Sequence, residues 1–176
     1  MARAHKAEKQ NITVADAPKK SLFDRVAGFL DANDWHYRAN DEKRYFDMNV
    51  GIRYASVRVI VDTDDLENWQ RASTYSVFPV QTPENRRSAM LEAINRINHS
   101  LSYGNLEMDM DDGEVRIRTV VEAQSDLAEE LMERMLHSNL NMANRFFAPL
   151  MAVAFGNADP AKVHEMAAPT DGQTVQ

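Results

Sequence analysis

The chain has 176 residues, 27 acidic against 20 basic side chains, a formal net charge of −7 and no cysteine. That length suits one domain burying roughly two-thirds of the surface its unfolded chain would expose, and without a thiol there is neither disulfide nor cysteine nucleophile. An acidic surface, with a pI of about 5.2, repels phosphate backbones and anionic lipid. No apolar stretch reaches the ~20 residues of a membrane span, and the N-terminus lacks the apolar core of a secretory signal. A cytoplasmic protein that binds neither nucleic acid nor membrane is expected.

Residues 1–20 carry Arg3, Lys6, Lys9, Lys19 and Lys20 against Glu8 and Asp16, without a sustained apolar period, and read as a flexible basic arm. Ser21 is a natural N-cap, and Leu22, Phe23, Val26, Phe29 and Leu30 recur at helical spacing, predicting a helix to about Ala32. The period then drops to two. Trp35 and Tyr37 begin a first strand, Phe46 to Ile52 make a second, and Val57, Val59 and Val61 a third. An acidic loop, Asp62 to Asn68, leads to a fourth strand from about Gln70 to Phe78, stopped by Pro79. Short strands with short connections favour an antiparallel meander.

Thr82 followed by Pro83 and Glu84 predicts the start of a second helix, with Met90, Ile94, Ile97 and Leu101 on its core side. From Leu106 to Val121, a two-residue turn at Asp112-Gly113 would set Met110 opposite Val115 and Met108 opposite Ile117. The other face would then pair Asp109 with Arg116 and Glu107 with Arg118. Ser125 is placed to cap a long helix through Leu131, Met135, Met142 and Phe146, which Pro149 should end or kink. Gly156 suits a C-cap, Asp159-Pro160 opens a last short helix, and residues 168–176 read as a disordered tail. The fold expected is α+β, a single domain over 21–167. An antiparallel sheet of five to six strands carries helices on one face, in the order α-β-β-β-β-α-β-β-α-α.

The chemistry-bearing patterns are absent from the sequence. Six glycines lie too far apart for a phosphate-cradling loop or a dinucleotide fingerprint. His5, His36, His99, His137 and His164 are isolated, with no metal-ligand spacing. Asp109, Asp111, Asp112 and Gly113 miss the register of a calcium loop: with Gly113 as its sixth residue, Met108, Met110 and Thr119 fall where carboxylates are needed. No catalytic residue, cofactor site or metal site is therefore assigned. Polar residues around Ile97 invite a contact reading, and Asn95, Asn98 and Asn105 are the candidate partner-contact residues.

Several segments, in order, resemble the YbjN family of bacterial proteins. They are Tyr75-Ser76-Val77-Phe78-Pro79-Val80 with Pro83-Glu84, Ile94-Asn95-Arg96-Ile97-Asn98, Gly104-Asn105-Leu106-Glu107, Asp112-Gly113-Glu114-Val115-Arg116, and Pro149 to Gly156. The likeness spans roughly residues 22 to 166. It implies a type III secretion chaperone-like fold and a role in sensory transduction or stress-response regulation, and it brings no catalytic residues with it. The function expected is a non-enzymatic regulator or adaptor that binds another protein, with a homodimer as one candidate assembly. The alternatives are a secretion-type chaperone holding an unfolded client segment, and an enzyme of unrecognised type.

Overall fold

A computed structural model describes residues 20–124 and 126–167. The basic arm (except Lys20), the tail 168–176 and the expected cap Ser125 lie outside the described residues. Four helices and six strands follow one another: α1 (Leu22–Ala32), β1 (Arg38–Asn40), β2 (Tyr45–Ile52), β3 (Ala55–Asp65), β4 (Gln70–Gln81), α2 (Arg87–Ser100), β5 (Asn105–Met108), β6 (Glu114–Ala123), α3 (Glu129–Phe155) and α4 (Val163–Met166). All pairings are antiparallel, in the order β1-β2-β3-β4-β6-β5. This is the α+β architecture and element order expected.

Period-two patterning decides the layers. Phe46, Met48 and Val50 of β2, Val57, Val59 and Val61 of β3, and Val115 and Ile117 of β6 are buried on one face, beneath the helices. Phe23, Val26 and Leu30 of α1, Ile94 and Ile97 of α2, and Met135, Leu140, Phe146 and Leu150 of α3 meet them in one core. Phe23 stacks on Phe46 with ring centroids 4.4 Å apart.

Local chemistry explains the boundaries, including those that depart from expectation. Ser21 accepts from the Asp24 N–H and starts α1 as read. Trp35 and Tyr37 do not lie on a strand. Asp34 takes a left-handed turn (φ 57°), and Tyr37 packs edge-on against Phe46 while its hydroxyl donates to Asp31, so β1 starts only at Arg38. The acidic loop shrinks to residues 66–69. Asp62, Asp64 and Asp65 extend β3 because each finds a cross-strand partner, Asp64 facing Arg71 and Asp65 facing Gln70.

β4 likewise runs through Pro79. Five residues from Val77 to Gln81 oppose three from Arg116 to Glu114, and the missing proline N–H falls in this bulge, where no ladder bond is needed. Thr82 does not cap α2. It is buried, its N–H bonds to the Gly113 carbonyl at 2.8 Å, and a 3-10 turn over Glu84–Arg86 intervenes before α2. α3 begins at Glu129, with Ala128 at the N-cap position, and continues through a buried Pro149 to its C-cap Gly156. Arg86 holds its far end, donating to the Val153 carbonyl at 2.6 and 3.0 Å and to Asn157 Oδ1 at 2.8 Å.

The β5–β6 hairpin is in register, but shifted by two residues. Met108 faces Val115 and Glu107 faces Arg116, and residues 110–113 form the loop. Asp109 and Asp112 each accept the N–H two residues on, at 2.8 Å, and Gly113 takes the positive φ of 82°. These local bonds outcompete the two-residue turn, and Met110 is left half exposed at 50%. A two-residue shift preserves side-chain parity, so the expected faces survive although the expected partners do not.

Candidate functional site

The face of the sheet opposite the helices is open, and its side chains form a grid fixed by the register. One row runs Tyr45, Asp62, Ser73, Val120; the next Asp47, Ile60, Tyr75, Arg118; a third Asn49, Arg58, Val77, Arg116. A groove of about 410 Å³ is lined by Tyr45, Arg58, Ile60, Asp62, Tyr75, Val77, Glu114 and Arg116.

Its cations are held in place. Arg58 grips Asp47 with two bonds, of 2.8 and 3.0 Å, and this pairing holds the Asp47 carboxyl below its ordinary range. Arg116 donates to Glu107 Oε2 at 2.7 Å, and Arg118 lies 3.7 Å from Glu107 Oε1. Both guanidinium groups sit over the Tyr75 ring, 5.1 and 5.9 Å from its centroid. Arg71 bonds Asp64 at 2.6 Å and stands 3.9 Å from Glu122. Glu107 is partly buried, which raises its pKa, but bonds from Asn105 and Arg116 outweigh burial and lower it.

Asp62 behaves differently. Burial, and then the like charge of Asp64, push its carboxyl above the ordinary range. A raised folded-state pKa means that the ionised carboxylate costs stability at neutral pH, a cost relieved as pH falls through that pKa. Asp62→Asn is thus expected to melt slightly higher than wild type at pH 7, with the two Tm values converging in acid. A Tm series across pH checks this, and a variant that melts lower at pH 7 would contradict it.

The three candidate asparagines make no hydrogen bond to one another and do not line the groove. Asn95 is exposed on α2. Asn105 sits on β5 at the rim of the open face, donating to Glu107 Oε1 at 2.9 Å. Asn98 lies behind the sheet edge: its Nδ2 donates to the Leu106 carbonyl at 3.0 Å and its Oδ1 accepts the Leu106 N–H at 2.9 Å. One side chain thereby satisfies both outward-facing backbone groups of the central β5 position, as a neighbouring strand would, and protects the edge from further pairing. Asn98→Ala is expected to lose about 1–2 kcal/mol and to self-associate at high concentration. Urea unfolding and light scattering read the two effects.

The groove residues were not among the sequence candidates. Tyr75, Val77, Glu114 and Arg116 stand in segments that resemble the YbjN family, and alternation sets Tyr45, Ile60 and Tyr75 on the polar side of their strands, where aromatic and aliphatic residues have no core to fill. Among the described residues, no group of three or more His, Asp or Glu side chains is placed to hold a metal ion, and no helix is long and apolar enough to cross a membrane.

Residues 22–151 match the model of the YbjN family, described as "Putative bacterial sensory transduction regulator". The chain is also similar to a solved structure entitled "Crystal structure of YbjN, a putative transcription regulator from E. coli", at 13% identity and a TM-score of 0.47, over 84% of this chain and 96% of that one. No curated protein matches the sequence.

Proposed function

We propose, for a chain that belongs to the YbjN family, a non-enzymatic regulatory role in sensory transduction, exercised by binding another protein at the open face of the sheet. The observation that carries this reading is the groove. Ile60, Val77 and two tyrosines form a floor bordered by arginines already locked by carboxylates. Side chains ordered in advance lose little entropy on association, and tyrosine with arginine is the composition of interface anchors. Client-strand addition, as in the chaperone alternative, is disfavoured at the β5 edge by Asn98.

The test compares tagged wild type with the double variant Tyr75→Ala/Val77→Asp in capture from lysate of the source cells. Circular dichroism first establishes that the variant is folded. Wild type should retain one near-stoichiometric partner that the variant loses. If the partner is a second copy, light scattering should show a dimer that the variant dissociates. A partner retained by the variant, or turnover of a substrate in the groove, would sink the proposal.

A further inference from the structure

Resting on the open face as the partner site, we propose that the groove takes a lysine- or arginine-bearing segment of the partner, with one cation at Asp62 and a second at Glu114. The two charge types in the groove are differently satisfied. Arg58 and Arg116 are each committed to a carboxylate, Asp47 and Glu107, at 2.8 and 2.7 Å. Asp62 and Glu114 take part in none of the ion pairs within 4.0 Å found among the described residues. With its arginines engaged by Asp47 and Glu107, the groove presents two carboxylates that form no ion pair, flanking Ile60, Val77 and Tyr45; Arg58 acts on Glu114, and Arg71 on Asp62, only at longer range.

The surroundings of Asp62 reinforce this. It faces Tyr45 across β2 and Ser73 across β4, with Asp64 two residues along its own strand. The nearby Arg71 is engaged by Asp64 and Glu122. A partly desolvated carboxylate beside a like charge gains more from an incoming cation than a solvated one does. The net charge of −7 adds a long-range attraction for cationic segments.

The spacing sets the length of the ligand. Asp62 is in register with Ser73 and Val120, and Glu114 lies further down β6 at its start. Strand rise and strand spacing put the two carboxylates roughly 20 Å apart, a span of about seven residues of extended chain. The segment therefore carries a cation near each end and apolar or aromatic residues between.

The probe is the capped heptapeptide Lys-Ala-Val-Tyr-Val-Ala-Lys, compared by calorimetry at low ionic strength with a counterpart carrying glutamate at both ends. The dilysine peptide should bind and the diglutamate peptide should not. Asp62→Asn and Glu114→Gln should each weaken binding about fivefold, and added salt should weaken it further. Affinity should also fall as pH drops through the raised Asp62 pKa, and this dependence should be smaller in Asp62→Asn.

Equal binding of the two peptides, unchanged affinity in both carboxylate variants, or no binding of either peptide overturns the proposal. If both peptides bind alike and Ile60→Glu abolishes both, the cation preference fails while the open face stands as a partner site.

Discussion

Asn139→Asp should leave the protein unfolded, or nearly so, at neutral pH. Asn139 is fully buried on α3. Its Nδ2 donates to the Thr74 carbonyl of β4 at 2.9 Å and the Ile117 carbonyl of β6 at 3.1 Å, with Thr119 Oγ1 at 3.2 Å. One amide thus ties the longest helix to two central strands. Its Oδ1 has no hydrogen-bond partner, yet the amide cannot be turned over, because that would set oxygen against two carbonyl oxygens.

Aspartate would impose that arrangement. An acceptor would replace the donor, and a buried carboxylate would have to remain ionised without a partner or take up a proton. Such changes cost on the order of 4–5 kcal/mol or more, comparable with the ~5–15 kcal/mol of a whole domain. Asn139→Ala removes the bonds without adding a charge and should cost about 2–4 kcal/mol, lowering Tm by roughly 5–15 °C. The introduced carboxyl would have a raised folded-state pKa, so its penalty is full above that pKa and fades as pH falls through it. The aspartate variant should therefore regain structure in mild acid, while the alanine variant should not. Circular dichroism melts at neutral and mildly acidic pH decide, and matching melts for the two variants would show the buried-charge argument to be wrong.

Gly113→Ala comes second, and a control makes it informative. Gly113 has a φ of +82°, and a Cβ there would stand 2.3 Å from the Thr82 carbonyl oxygen and 3.1 Å from its nitrogen. The obstruction is backbone, so the hairpin loop must move, breaking the 2.8 Å bond from the Thr82 N–H to the Gly113 carbonyl. The left-handed penalty and the lost anchor together should cost roughly 2–4 kcal/mol. The displaced loop leads directly into Glu114 at the start of β6, so peptide binding in the groove should weaken in parallel. Gly28→Ala, within α1, meets nothing within 4 Å and should stabilise by about 0.5–1 kcal/mol. The same change is thus predicted to have opposite signs at two sites, and urea titrations of both proteins check it.

Elements governed by neighbours a few residues apart were legible in the sequence. The Ser21 cap, the apolar stripe of α1, the alternation of β2 and β3, and the Asp159 cap, whose side chain accepts from the Ala161 N–H at 2.9 Å, stand as read. Two departures are local, the Asp34 turn before β1 and the Asp109 and Asp112 bonds that shift the hairpin; others fall where a distant segment outbid a local preference. Pro79 does not stop β4, because the bulge against β6 absorbs its missing donor. Of the two outcomes expected at Pro149, an end or a kink, the end does not occur, because that stretch is buried among helices and the Val153 carbonyl is held by Arg86, far back in the chain. The bonds of Asn98 to the Leu106 backbone cover a strand edge that no local pattern could have pointed to.

Fold class, element order and the parity of β2, β3, β5 and β6 were inherent in the amino-acid order, since periods of 3.6 and 2 record which side of each element leaves water. The candidate site was not. Tyr45, Ile60, Asp62, Tyr75, Glu114 and Arg116 come from four strands, and the groove exists only once antiparallel register sets them side by side. Which carboxylates are quenched and which stay open was likewise decided by tertiary structure. An ion pair depends on a few ångströms between side chains brought together by pairing, and local sequence periodicity does not encode that distance.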